Sequence, residues 1–276
     1  MKIISWNIQR KHQSWRCLLD MDIDLALLQE AGQPPPDVAE RIETNPGPWE
    51  TMIVGGRPPY RTAIVKLSDR IDIDWIEARP IDAAESRGLV ASWPGTLAAV
   101  HVTPPSGAPV VAVSMYAPWV NTHIRAGPKV KFSDGSAHRI VSDLSTFIAA
   151  KYGHRVLAAG DMNILRGYGE HGDRYWAARY RTVFDRMDAM GLPCIGPEYP
   201  NGRQADPWPG ELPRDSGNVP TVHSKRKSPE TATRQLDYVF ASTDLASSLK
   251  VRALNAPEEW GPSDHCRIEI ELADKA

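Results

Sequence analysis

Short apolar runs that each stop on a polar residue dominate the chain. Residues 2–8 read as a strand that gives way to Gln9-Arg10-Lys11, and 23–28 as a second that stops on Gln29-Glu30. Short helices are expected over 14–20 and, after the break at Gln33-Pro34-Pro35-Pro36, over 37–44. From 51 to 116 the pattern is all strand. Segments at 51–54, 61–67, 71–78, 88–93, 96–103 and 109–116 are punctuated by Gly, Pro and Asp. The last two flank Pro104-Pro105-Ser106-Gly107, a hairpin signal, and the second ends on Tyr116-Ala117-Pro118.

Two longer helices follow. One is expected over 136–152, with Ile140, Leu144, Phe147 and Ile148 on one stripe and Gly153 as its stop. The other runs over 173–190, capped by Asp173 and ended by Gly191, with Trp176, Tyr180, Val183, Phe184 and Met187 in phase. A strand at 156–160 lies between them. Strands at 235–241, 249–254 and 266–272, with a helical turn over 243–248, complete the pattern. Residues 196–221 carry six prolines and little period, which marks a functional or mobile loop. No repeat, low-complexity tract or linker divides the chain, so 1–276 is expected to be one α/β domain.

Composition narrows the class. At 276 residues folding buries roughly three quarters of the unfolded chain's surface, so no staple is required. The chain is 42% apolar with a formal charge of −2, no run of membrane-span length, and no signal-peptide layout after Met1. Cys17, Cys194 and Cys266 are odd in number and lack C-x-x-C spacing, against a disulfide framework or a zinc site. A cytoplasmic monomer is expected. Without net basic charge, any nucleic-acid surface must be local.

The chemistry begins at Val156-Leu157-Ala158-Ala159-Gly160-Asp161-Met162-Asn163. In extended chain Asp161 and Asn163 face one side, at a strand's C-terminal end where ligands sit in helix-flanked sheets. An Asx turn with a helix N-cap is the plain alternative. Asn7, Glu30 and Tyr116 end other strands, and Asp264-His265 opens the last. Asp237 stands among strand residues, where an unpaired carboxylate costs stability. Alone, each has a plain role: a turn for Asn7, a helix-start acid for Glu30, a core ring for Tyr116, an N-cap for Asp264. Together they suit metal and phosphate chemistry.

Trp6-Asn7, Leu28-Gln29-Glu30, Tyr116-Ala117-Pro118, Gly160-Asp161-Met162-Asn163, Gln235-Leu236-Asp237-Tyr238 and Ser263-Asp264-His265 stand in a telling order. In these motifs the chain resembles the endonuclease/exonuclease/phosphatase superfamily, from residue 6 to 265. The resemblance implies a four-layer α/β sandwich, two mixed β-sheets packed face to face with helices on the outside. It also implies phosphate-ester hydrolysis dependent on Mg²⁺ or Mn²⁺. By resemblance Glu30 is the metal ligand, with Asn7 and Asp264 near the metal, directly or through water. A hard cation keeps several waters, so one firm carboxylate suffices. Asp161 would orient or deprotonate the attacking water, while Asn163, Tyr116 and His265 would contact phosphoryl oxygens. Asp237 would hold His265 in one tautomer and favour its charged form. His265 as base and His265 as stabiliser both stay open at this level, as do one metal and two.

Two basic segments bear on the substrate. Residues 121–139 hold Arg125, Lys129, Lys131 and Arg139 against Asp134, and 223–236 hold Lys225, Arg226, Lys227 and Arg234 against Glu230. With His223, which precedes the Asp237 strand closely, Lys225, Arg226 and Lys227 are the substrate-binding candidates. A nucleic-acid phosphodiester is the favoured substrate. The alternative is a small phosphorylated metabolite or a lipid headgroup. A non-catalytic binding protein of the same fold ranks below both, since a scaffold needs no polar strand ends. The continuation Ile164-Leu165-Arg166-Gly167 departs from abasic-site endonucleases. Val222-His223-Ser224-Lys225 stands where inositol phosphatases carry Trp-x-Asp-Arg. Three further signals are set aside. Gly167 to Gly172 match G-x-G-x-x-G but do not directly follow a strand. Cys266 faces away from His265 and belongs to the core. Trp176 and Tyr180 share the core phase of their helix, and His101 belongs to the sheet core or rim.

Overall fold

The computed structural model describes residues 1–52, 59–81, 89–121, 131–148 and 153–273. The first part of the chain forms β1 (Lys2–Asn7), α1 (His12–Leu19), β2 (Leu25–Ala31), α2 (Pro36–Ala39), β3 (Glu43–Thr44) and β4 (Arg61–Lys66). Then come β5 (Asp72–Ile76), β6 (Ala78–Pro80), β7 (Leu89–Ala91), β8 (Leu97–Thr103), β9 (Val110–Tyr116), β10 (Val120–Asn121) and β11 (Lys131–Phe132). The remainder is α3 (Asp134–Leu144), β12 (Val156–Asp161), α4 (Arg174–Ala189), β13 (Cys194–Gly196), β14 (Asp237–Ala241), α5 (Thr243–Ala246), β15 (Leu249–Leu254) and β16 (Arg267–Leu272).

Two six-stranded sheets result, β15-β16-β1-β2-β4-β3 and β13-β14-β12-β9-β8-β5. Both are mixed: β1 runs parallel to β2 and antiparallel to β16, and β12 parallel to β9 and antiparallel to β14. Alternation along the strands decides which residues meet. Ile3, Leu25, Leu27, Val110, Ala112, Leu157, Ala159 and Val239 point inward and pack with Cys266 between the sheets. Ile4, Trp6 and Ala26 point the other way, onto Trp15 and Leu18 of α1. Val113, Met115, Val156, Ala158 and Phe240 pack outward against Ile140 of α3 and Tyr180 and Val183 of α4. The layers are therefore helix, sheet, sheet, helix, as expected.

Several boundaries differ from the pattern-based expectation. The helix expected over 37–44 stops at Ala39, because Glu43 and Thr44 pair with the edge of β4. The helix expected to 152 is α-helical only to Leu144 and tightens into a 3₁₀ turn over Ser145–Phe147. There the Ser142 and Ser145 hydroxyls donate to the His138 and Ser142 carbonyls, local bonds that compete with the helix ladder. Residues 149–152, the strand positions 53–54, and the basic Arg125 and Lys129 lie outside the described residues. Asp173 does cap α4, its Oδ1 accepting from the Tyr175 N–H at 2.8 Å. Gly191, at φ +75°, ends it in a left-handed turn that closes Leu192 N–H onto the Met187 carbonyl. Among the described residues no helix is long and apolar enough to cross a membrane. All three cysteines are free thiols.

Candidate active site

The inward-facing series of four strands end in polar side chains at one end of the inter-sheet core. Ile3 and Ser5 lead to Asn7, Ala112 and Ser114 to Tyr116, and Leu157 and Ala159 to Asp161. Asp237 opens the inward series of β14. Pairing in the second sheet places Tyr116, Asp161 and Asp237 side by side. Asn7 reaches across from the first sheet, its Nδ2 donating to Asp161 Oδ2 at 2.9 Å. Behind it Gln29 donates to Ser114 Oγ at 3.1 Å, a polar tie between the sheets.

Glu30 breaks the alternation. It lies in a register shift of β2 between Leu28 and Ala31, with φ +44°, and this bulge turns its side chain into the cleft. Its Oε1 accepts from the Tyr116 hydroxyl at 3.1 Å and Asn7 Nδ2 at 3.4 Å, and its Oε2 from Arg10 Nη1 at 2.5 Å. Asn163, also left-handed at φ +50°, folds back on Asp161. Its backbone N–H donates to Asp161 Oδ1, and its Nδ2 to Asp161 Oδ2 and the Ala117 carbonyl.

A segment from the proline-rich stretch closes the other side. Val222 bridges Arg234 and His265, while the Thr221 hydroxyl accepts from the N–H groups of Leu236 and Asp237. The His223 N–H donates to the Asp264 carbonyl. Ser263 Oγ donates to the Asn7 carbonyl, and Trp6 Nε1 to the His265 carbonyl. Residues distant in sequence are thereby locked together. His265 Nδ1 is 2.8 Å from Asp237 Oδ2, and its Nε2 is 3.8 Å from Asp161 Oδ2. Burial pulls the His265 imidazole down, but Asp237 and Asp161 outweigh it and raise the group to about 10. Burial raises Asp161 to about 8, against the opposing pull of His265.

These groups surround a cleft of about 660 Å³. Glu30, Tyr116, Asp161, Asn163, Asp264 and His265 line it, while Asn7 and Asp237 stand behind that lining. His223, Lys225 and Lys227 are on its wall; Arg226 is not. Sequence reasoning left out Arg10, Tyr60, Trp119 and Thr233, which also line it. Arg234 lines it too, but its Nη2 is held by both Glu170 oxygens at 2.5 and 2.6 Å. Gly167 to Gly172 thus form a turn docked on the cleft edge. Lys225 and Lys227 have no acidic partner among the described residues.

Two groupings of the site residues suit a cation. Asp161, Asp237 and His265 offer ligand atoms within 4.8 Å of one another, but those atoms already bond one another, Asn7 and Asn163. Glu30 also faces the cleft. Asp264 Oδ1 is buried with no hydrogen-bond partner among the described residues. A buried carboxylate oxygen without a donor is costly unless a cation or ordered water satisfies it. Glu30 and Asp264 therefore fit a hard cation with oxygen ligands. As placed, Asn7 turns its carbonyl to the Gln9 N–H and its amide nitrogen to Glu30 and Asp161, so it bridges those two acids.

No family model matches the sequence, and no curated protein matches it either. Solved structures do. The endonuclease domain of a telomere-specific non-LTR retrotransposon aligns over 100% of this chain and 99% of its own, at 14% identity and TM-score 0.61. An AP endonuclease from Leishmania major aligns over 99% and 88%, at 18% identity and TM-score 0.61. A 3'-5' exonuclease from Neisseria meningitidis aligns over 99% and 100%, at 20% identity and TM-score 0.57. At these identities the likeness is one of architecture: the chain shares the two-sheet α/β sandwich of these structures.

Proposed function

We propose that this chain is a divalent-metal-dependent phosphodiesterase that hydrolyses nucleic acid by in-line attack of water. The observation that carries the proposal is convergence: separate strand ends and one loop deliver two carboxylates suited to a cation, and a buried Asp161 beside a His265–Asp237 pair, to one cleft. The AP endonucleases and the exonuclease among the structural neighbours support it. Glu30 and Asp264 would hold Mg²⁺ or Mn²⁺, with Asn7 bridging Glu30 to Asp161. A bound cation supplies Lewis-acid stabilisation of phosphoryl charge.

The chain's own groups divide the remaining work. Asp161 is fixed by Asn7 and Asn163, and burial raises its proton affinity above that of an ordinary carboxylate, so in its ionised form it is assigned to take the proton of the attacking water. His265 holds its proton between two carboxylates, so it is assigned to donate from Nε2 to a phosphoryl oxygen rather than to act as base. Tyr116 orients Glu30 through its hydroxyl, and Asn163 orients Asp161. His223, Lys225 and Lys227 meet the substrate's further phosphates; Arg226 is released from that role. Because the cleft is complete within one chain and both sheets share one core, we treat 1–276 as one domain acting as a monomer. The free thiols favour a reducing compartment, the cytoplasm. One observation favours the alternative, a small phosphorylated substrate. Glu170 neutralises Arg234, which takes one of the cleft wall's four lysines and arginines away from a polyanion.

The test is a panel of abasic duplex, single- and double-stranded DNA, RNA, an inositol polyphosphate and a p-nitrophenyl phosphodiester, each in Mg²⁺ and in EDTA. Oligonucleotide hydrolysis in Mg²⁺ that stops in EDTA is expected. Glu30→Gln should raise the metal concentration needed while barely moving the melting temperature in EDTA. Hydrolysis undiminished by EDTA overturns the proposal.

A further inference from the structure

Glu30 is not free in the cleft. Arg10 Nη1 sits 2.5 Å from its Oε2, and the pair is mostly buried, with side chains 14% and 17% exposed. The other oxygen is taken by Tyr116 and Asn7. A cation seeking Glu30 therefore meets a carboxylate whose remaining oxygen already carries a positive partner.

That partner is placed by the backbone as well. The Arg10 N–H donates to the Glu30 carbonyl at 2.8 Å. Gln9, Arg10 and Glu30 have φ of +51°, +60° and +44°, a region that residues with side chains rarely adopt and that clusters at functional sites. The guanidinium also lies over the Tyr60 ring, 4.9 Å from its centroid, and Tyr60 packs edge-on against Tyr116 at 5.8 Å. Arg10, Glu30, Tyr60 and Tyr116 all line the same cleft. If Arg10 leaves Glu30 it keeps Tyr60 as a platform and stays inside the cleft, with five N–H donors suited to phosphate oxygens.

We infer that Arg10 is a resident counter-ion of the cation site. It holds Glu30 in the metal-free protein, yields that carboxylate to an arriving divalent cation, and then presents its guanidinium to a substrate phosphate. The inference rests on the proposed role of Glu30 as cation ligand. Its consequence is a linkage: displacement of Arg10 opposes metal binding in the absence of substrate and favours phosphate binding in its presence. An arginine that only orients Glu30 has the opposite signature, because its loss loosens the ligand and weakens metal binding.

Calorimetric titration of the metal-free protein with Mn²⁺, without nucleic acid, separates the two. Arg10→Gln and Arg10→Met, the second keeping an unbranched stem over Tyr60, should each bind Mn²⁺ about five-fold or more tighter than wild type. In EDTA both should melt below wild type, since Glu30 then lacks a counter-charge, and Mn²⁺ should raise their melting temperatures by more. In an Asp161→Asn background, with Mn²⁺ saturating, Arg10→Gln should weaken binding of a labelled oligonucleotide by a comparable factor. Mn²⁺ affinity equal to or weaker than wild type in both variants overturns the counter-ion role alone. Wild-type binding of Mn²⁺ that is absent, or indifferent to Glu30→Gln, overturns the role of Glu30 itself and Arg10's with it.

Discussion

His265 lies between two carboxylates, and that placement determines its chemistry. A histidine whose proton is held more tightly in the folded state stabilises the fold fully below its unfolded value of about 6.5. That contribution is lost as pH climbs through the folded value, here about 10. In EDTA the ring should therefore stay protonated through neutral pH, with an NMR titration midpoint well above 6.5. Between pH 7 and 10 the wild type should lose more stability to denaturant than His265→Gln, which lacks the group. A midpoint near 6.5 would contradict the assignment of the ring as proton donor. In turnover, His265→Ala and Asp161→Asn should each cost about 10² or more. Asp237→Asn should cost less, because Asp237 acts through the ring and touches no substrate. Full activity in either of the first two variants sinks the mechanism. Asn7, Tyr116, Asp161 and Asp237 were legible from alternation, since each falls on the same face as the apolar core residues before or after it. Glu30 was not: it is out of phase and reaches the cleft through a bulge, so only its place at a strand end and the resemblance pointed to it. Arg10 and Tyr60 escaped both routes, because left-handed turns at Gln9 and Arg10 aim the guanidinium and no periodicity encodes them.

At the scale of elements, the site depends on how closely β12 approaches β9. A methyl group built on Gly160 would lie 1.9 Å from the Met115 carbonyl oxygen, a backbone atom of a central strand that has little room to give. Gly160→Ala should therefore push the strands apart and displace the adjoining Asp161. Overpacking of this kind costs about 1–3 kcal/mol, so chemical denaturation should show a clear loss of stability and kcat should fall with it. Wild-type stability and rate in this variant would show that the strands can separate without moving the acid. Most strands that build the site were read to within a residue or two, because their apolar runs are long enough to carry a period. β2 was read three residues short, ending before its bulge. Of the segment over Thr221 to His223, the sequence marked only His223 as a site candidate and assigned no strand pairing. Its role comes from single bridges to Arg234 and His265, made by residues with no pattern of their own. The short strands β6 and β13 and the pair β10–β11 were likewise too brief to register.

For the molecule as a whole, the open matter is how much charge the cleft offers to a polymer. The formal net charge is −2, so a polyanion is attracted only by what the cleft itself presents. Arg234 is engaged by Glu170 and Arg10 by Glu30, which leaves Lys225 and Lys227 as the wall's unpaired cations among the described residues. Each lysine that neutralises a phosphate releases condensed counterions, about 0.9 per contact on duplex DNA and about 0.7 on a single strand. If nucleic acid is the substrate, log KM should rise with log salt concentration. Replacing Lys225 and Lys227 together by Ala should flatten that line by up to about 1.8 units of slope on a duplex. Arg226→Ala, outside the cleft wall, should leave the slope nearly unchanged, which separates local contact from general charge. Hydrolysis of a p-nitrophenyl phosphodiester, which carries no further phosphate for either lysine to meet, should be unaffected by the double replacement. A wild-type line that is flat from the start would instead assign the cleft to a small phosphorylated substrate, because a polymer cannot bind a charged wall without displacing its ions.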